Sequence, residues 1–135
     1  MKNIIVVTGG AGFIGSNLIK YLIKKTKFKI ISIDNYSTGT KKNHVKHNKI
    51  KYIKDKNINI SKLLKNYKKK IKVIFHFGEF SRIYQSFLKP KECLDSNINN
   101  SFAVINFAKD NNIKIIYSAT SSALGNNGKD ENLSP

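Results

Sequence analysis

Gly9, Gly12 and Gly15 stand directly after the apolar run Ile4 to Val7, at the head of a stretch with helical periodicity. In Thr8-Gly9-Gly10-Ala11-Gly12-Phe13-Ile14-Gly15 these glycines permit a tight turn, a close approach of backbone to a pyrophosphate, and close packing of a helix on a strand. The phosphate charge would then meet the positive end of that helix. A glycine triplet alone is weak evidence, but here a strand precedes it, a helix follows it, and Asp34 closes a second apolar run about twenty residues on. A carboxylate at that point accepts hydrogen bonds from both hydroxyls of an adenosine ribose and repels a phosphate on the second. That favours NAD over NADP; Lys41 and Lys42, the nearest partners for such a phosphate, lie several residues further along. The plainer alternative is an acidic residue that merely ends a strand.

Other chemistry-bearing residues assemble into nothing comparable. His44, His47 and His76 form no Ser-His-Asp arrangement and no metal-ligand spacing, and His76 is expected to pack or hydrogen-bond at a strand end. Cys93 is the single cysteine, so it forms no disulfide within the chain; it is expected to be buried and inert, in a reducing compartment, and the site to be metal-free.

The elements that must position the glycines and Asp34 follow from periodicity. Short apolar runs alternating with helix-like stretches are the pattern of a parallel sheet buried on both faces. Strands are expected at Ile4 to Val7, Phe28 to Ile33, Ile50 to Ile53, Val73 to Phe77 and Ile113 to Ser118. The first helix would present Ile14, Leu18, Tyr21 and Leu22 on one face. A short second helix would start at Ser61 as N-cap and carry Leu63, Leu64 and Tyr67. A long helix would run from about Lys91 to Asn111, with Leu94, Ile98, Phe102 and Ile105 as one apolar stripe and Val104, Phe107 and Ala108 widening it toward a second face. The resulting fold is α/β, a Rossmann-type doubly wound parallel sheet of five strands in the order 3-2-1-4-5. The segment Tyr36 to Lys49 reads as a loop over the ligand, and the Gly/Asn-rich tail from Ala119 to Pro135 as loosely held.

With 135 residues the chain holds one domain, too short for a cofactor domain plus a substrate domain. It has no apolar stretch of membrane or signal length and reads as soluble and cytoplasmic. The formal charge of +17 invites a nucleic-acid or anionic-membrane partner. Against this, Arg82 is the only arginine among 25 basic residues, whereas groove and phosphate recognition favours the arginine fork. The lysines are also spread along the chain, with Lys24-Lys25, Lys41-Lys42 and Lys68-Lys69-Lys70 at expected helix ends and loops, where a solvated face explains them.

Gly9 to Gly15 followed by Asp34-Asn35-Tyr36-Ser37-Thr38-Gly39 resembles the opening of the extended short-chain dehydrogenase family, particularly the epimerase/dehydratase group that includes the UDP-glucose 4-epimerases. The likeness continues through Val73-Ile74-Phe75-His76-Phe77, Ser86, Pro90 and Asn97 to Tyr117-Ser118-Ala119-Thr120-Ser121-Ser122-Ala123-Leu124-Gly125, in family order and at family spacing. The resemblance implies that Phe13 and Ile14 offer backbone amides to the pyrophosphate. It implies that Asn35, Ser37, Thr38 and Gly39 line the adenosine side, Phe77 and Gly78 the cofactor beyond the fourth strand, and Asn97 the nicotinamide ribose. Thr120 matches the catalytic serine or threonine, which hydrogen-bonds the sugar oxygen being oxidised. It further implies a nucleotide-sugar substrate, and a homodimer built through the helix around 91–111 beside the helix bearing the catalytic tyrosine and lysine.

Two departures stand out. Glu79 follows Gly78 where the family has a second small residue, which puts a carboxylate near the path of an anionic cofactor unless it turns away, toward Arg82, or the substrate differs. The family's Tyr-x-x-x-Lys follows directly after Ser-Pro, whereas Ser134-Pro135 ends this sequence. The expectation is therefore an NAD-binding portion that is inactive by itself. The alternatives are a non-catalytic dinucleotide-binding module acting as sensor or partner subunit, and, less favoured, a lysine-rich nucleic-acid binder.

Overall fold

The computed structural model describes residues 1–119; the expectations for Thr120 and for the tail beyond Ala119 lie outside the described residues. Five strands, β1 (Ile4–Thr8), β2 (Lys29–Asp34), β3 (Ile50–Lys54), β4 (Ile71–His76) and β5 (Lys114–Tyr117), form one sheet in the order β3-β2-β1-β4-β5. Every neighbouring pair is parallel. All five residues of central β1 are buried, as its uninterrupted apolar run requires. Because side chains alternate across a strand, Ile4 and Val6 enter one core with Ile60, Leu64, Val104 and Phe107, while Ile5 and Val7 enter the other with Ile19, Leu22 and Ile23.

Helix α1 (Phe13–Lys25) is rotated from its expected orientation. Its buried residues are Gly15, Ser16, Ile19, Leu22 and Ile23, while Ile14 and Tyr21 face outward at 63% and 59% exposure. The cause is Gly15, whose missing side chain is what lets the helix seat: a Cβ there would stand 2.3 Å from the carbonyl oxygen of Gly9. The residues a helical turn or two below Gly15 follow it onto the sheet.

Helix α2 (Ile60–Leu63) begins at fully buried Ile60, after a 3₁₀ turn at Asn57–Asn59, so Ser61 lies inside it and is not its N-cap. A further short helix, α3 (Ile83–Leu88), precedes the expected long helix, which is two pieces joined by a wider turn: α4 (Pro90–Leu94), a π-helical turn at Asp95–Asn100, and α5 (Ser101–Asp110). Pro90 separates α3 from α4 because it has no N–H to continue the ladder, and it sits instead at the first position of α4. The π turn adds room for three polar side chains to leave the helix: Ser96 and Asn97 reach the loop after β4, and Asn100 accepts from the Ile58 N–H at 3.0 Å. The second apolar face, not the main stripe, is the one that packs inward. Ser101, Val104, Phe107 and Ala108 pack on the sheet, and Leu94, Ile98, Phe102 and Ile105 are the ones left in solvent.

No helix among the described residues is long and apolar enough to cross a membrane. Nor do three or more His, Cys, Asp or Glu side chains gather among them as a metal site requires. Cys93 is half-buried.

Candidate functional site

The C-terminal ends of parallel strands are where an open α/β sheet forms its crevice, because the chain leaves β1 and β4 in opposite directions there. A cleft of about 850 Å³ opens at that edge. Gly9, Gly12, Phe13, Ile14 and Gly15 from the glycine turn line it, with Asp34, Asn35, Ser37, Thr38 and Gly39 after β2, and Phe77, Gly78 and Asn97. The residues singled out in the sequence are thus brought together, except Thr120, which lies outside the described residues. Asp55 and Asn57 after β3, Phe80 to Arg82 after β4, and Tyr117 at the end of β5 with Ser118 and Ala119 after it join them. These additional wall residues carried a signal in the sequence, since they stand at or shortly past the ends of expected strands.

The glycine turn is tied down from several sides. Gly9 has φ +71°, a conformation that side-chain-bearing residues resist, and a Cβ on it would lie 2.5 Å from the carbonyl oxygen of Phe77. The Asp34 carboxylate accepts from the Ala11 N–H through Oδ2 at 2.8 Å and from the Tyr36 N–H through Oδ1 at 2.7 Å. It therefore clamps the turn and the start of the loop that follows β2. That loop folds back: Thr40 N–H and the Asn43 side-chain amide both donate to the Ala11 carbonyl, at 3.1 and 2.8 Å. Asn35 caps its own turn by accepting from Ser37 N–H at 2.9 Å. Further out, the Tyr36 hydroxyl lies 2.9 Å from His44 Nε2, and the His44 ring stacks on Tyr52 at 3.7 Å. Helix α1 starts at Gly12 with no side-chain cap and no acid in its first turn, which leaves its leading N–H groups free for an anion.

The opposite wall is held by a buried polar chain. Thr8 Oγ1 accepts from the N–H groups of Phe77 and Gly78, each at 3.2 Å, so both lone pairs are used and its own hydrogen goes to His76 Nδ1 at 2.6 Å. Nδ1 of His76 is then an acceptor, and Nε2 must donate, to Ser101 Oγ at 2.9 Å. Ser101 donates in turn to Glu79 Oε1 at 3.4 Å. Glu79 also accepts from the Tyr117 hydroxyl at 2.5 Å and from Ser118 Oγ at 3.2 Å. The carboxylate thus turns to β5 and α5 and makes no ion pair with Arg82 among the described residues. Asn97 clamps the same loop, accepting from Phe80 N–H at 2.6 Å and donating to Phe80 O at 3.0 Å.

Burial pushes the His76 pKa below the ordinary histidine value, with the Glu79 charge opposing. The hydrogen bond to Glu79, then burial and the Glu79 charge, push the Tyr117 phenol up. A histidine held neutral in the native state takes up a proton more readily once unfolded. Its contribution to stability is present in full above about pH 6.5 and is lost as pH falls through the lowered native value. His44, also lowered, chiefly by burial and then by Lys41, acts with the same sign. The urea midpoint is expected to fall between about pH 8 and pH 5.5, and His76→Asn to remove most of that fall while His44 keeps a remainder. An unchanged slope in His76→Asn would show that His76 is not the titrating group.

Comparison with known proteins agrees with this architecture. Over 97% of its length the chain superposes on 42% of the UDP-N-acetylglucosamine 4-epimerase from Methanobrevibacter ruminantium M1, solved in complex with UDP-N-acetylmuramic acid, with a TM-score of 0.82 and 32% identity. It is 31% identical to the bifunctional protein GAL10 of Candida maltosa, over 91% of this chain and 85% of that sequence. It is 32% identical to the ADP-L-glycero-D-manno-heptose-6-epimerase of Brachyspira hyodysenteriae, over 94% of this chain but only 41% of that protein. The model of the NAD dependent epimerase/dehydratase family matches residues 5–135, nearly the whole chain. With the five-stranded doubly wound sheet, the glycine turn and the carboxylate closing β2 in their places, the chain belongs to the NAD dependent epimerase/dehydratase family.

Proposed function

We propose that the cleft binds NAD, and that the chain supplies the cofactor-binding part of a nucleotide-sugar epimerase or dehydratase. One observation carries the reading: the side-chain-free cradle at Gly9, Gly12 and Gly15 opens into the same cleft as the Asp34 carboxylate. The residues fit the group in a second respect. Asn57, 6% exposed, lines the cleft with an Oδ1 that has no hydrogen-bond partner. A ligand donor would satisfy it once a small shift of the side chain brings the buried oxygen to the cleft surface.

In this reading the leading amides of α1, at Phe13 and Ile14, take the pyrophosphate, and Asp34 takes the adenosine ribose hydroxyls, with Asn35, Ser37, Thr38 and Gly39 along the same side. Phe77, Gly78 and Asn97 border the far half. When bound, NAD supplies the hydride acceptor and donor for oxidation and re-reduction of the sugar. By the family resemblance, Thr120 would hydrogen-bond the reacting sugar oxygen. Two of the groups described at that end are unsuited to remove a hydroxyl proton: the Tyr117 phenol is held protonated by Glu79, and both His76 nitrogens are engaged. The support for a nucleotide-sugar substrate is the family together with the named relatives. The lone Cys93 supports a cytoplasmic setting, and the solvent-facing apolar stripe supports a homodimer.

The test is a calorimetric titration of the polypeptide 1–135 with NAD, paired with an assay of UDP-glucose and UDP-galactose interconversion. Saturable NAD binding without turnover is the expected result. Absence of binding would reject the cofactor assignment, and turnover abolished by Thr120→Val would reject the view that these residues lack a base.

A further inference from the structure

We infer that Glu79 sets the redox preference of the cleft, its fixed carboxylate favouring an oxidised, cationic nicotinamide over a reduced, neutral one. The inference rests on the proposal that the cleft takes NAD. Asp34 and the loop after β2 mark one end of the cleft, and the glycine turn its middle. The segments after β4 and β5, which carry Glu79, Arg82, Tyr117 and Ser118, form the other. A dinucleotide with its adenosine at Asp34 and its pyrophosphate over the glycine turn has its nicotinamide half directed to Glu79.

Three features make Glu79 more than a passing surface charge. Hydroxyls from two elements hold it: Tyr117 and Ser118 at the end of β5, and Ser101 at the start of α5. A carboxylate accepts and cannot donate, so the Tyr117 hydroxyl points at it, while Ser118 Oγ lies 3.2 Å from both the carboxylate and the His76 carbonyl and Ser101 Oγ lies 3.4 Å away; none of these partners carries a compensating charge. The ion pairs among the described residues are Lys89–Glu92 and Lys91–Asp95, both away from this wall. Arg82 borders the same end of the cleft without pairing with Glu79. The other carboxylates of the cleft, Asp34 and Asp55, follow β2 and β3 on the far side of the sheet centre. Hydride addition brings two electrons and a proton to the nicotinamide ring and cancels its positive charge. A negative group held beside the ring therefore favours the form before addition. In an enzyme whose hydride is taken and returned, such a bias keeps the resting cofactor oxidised.

Titrating the chain with NAD⁺ and with NADH tests this. NAD⁺ is expected to bind about tenfold more tightly, a difference of about 1.4 kcal/mol. Glu79→Gln, which keeps the shape and removes the charge, should bring the ratio close to one, mainly by weakening NAD⁺. Arg82→Gln removes the opposing charge and should leave the ratio equal or larger. A parent chain without preference for NAD⁺, a ratio untouched by Glu79→Gln, or a ratio that falls equally in Arg82→Gln would each overturn the inference. The parent ratio stands as a test on its own should Glu79→Gln fail to fold. Failure of both dinucleotides to bind would instead reject the NAD reading, and this inference with it.

Discussion

Asp34→Ala is expected to weaken NAD binding about a hundredfold and to narrow the preference for NAD over NADP. The first effect has two sources. The carboxylate is the proposed acceptor for the ribose hydroxyls, and it also holds the Ala11 and Tyr36 amides at 2.8 and 2.7 Å. Hydrogen bonds to a charged group are each worth about 1.5–3 kcal/mol, so losing the ribose contact and loosening the phosphate turn readily reaches the roughly 2.8 kcal/mol that a hundredfold represents. The second effect is electrostatic: alanine has no charge to repel a 2′-phosphate. Asp34→Asn separates the two, since it keeps an acceptor and drops the charge, and should fall between parent and alanine in affinity with the preference already narrowed. Calorimetry on the three proteins with both cofactors decides the matter. Equal affinities of the parent chain for NAD and NADP would reject the assignment.

Asp34 also illustrates what a sequence discloses and what it does not. Its place at the end of β2, and the glycine spacing after β1, are local facts, legible because turn, strand end and helix start are written in contiguous residues. The strand order was legible for a similar reason: uninterrupted apolar runs separated by helices leave few alternatives for a parallel sheet. The clamp from Asp34 to Ala11 was not, since it joins residues 23 apart that meet only once α1 and β2 have packed. The rotation of α1 was partly written in Gly15, but the hydropathic stripe through Ile14 and Tyr21 competes with it, and only the contact with Gly9 decides between them. Pro90 stands just before the expected start of the long helix, at the first position of α4, whereas the π turn after it depends on Ser96, Asn97 and Asn100 finding distant backbone partners. Glu79 was conspicuous as a departure, but its partners lie 22 to 39 residues away in β5 and α5, and no local rule points to them.

Self-association is the second large effect expected. Ile83, Tyr84, Phe87 and Leu88 of α3 are each at least 65% exposed, and Leu94, Ile98, Phe102 and Ile105 continue an apolar surface through α4, the π turn and α5. Single apolar residues on a surface are ordinary, but this many along consecutive helices form a patch of the kind that marks an interface. Burying one Phe or Leu contributes about 1.5–3 kcal/mol, so covering even half of these side chains rivals the whole stability of a small domain. A second copy of the chain can offer the same face, and we propose that it does. The +17 charge opposes such pairing through long-range repulsion, which salt screens. Association is therefore expected to strengthen as ionic strength rises, the reverse of what an interface held by ion pairs would show. Sedimentation should give a concentration-dependent dimer, with a melting temperature that climbs with protein concentration. Phe87→Lys with Phe102→Lys should return the chain to a monomer while leaving the buried Val104, Phe107 and Ala108 untouched. A parent chain that stays monomeric at all concentrations and unfolds at a high, concentration-independent temperature would refute the proposed dimer.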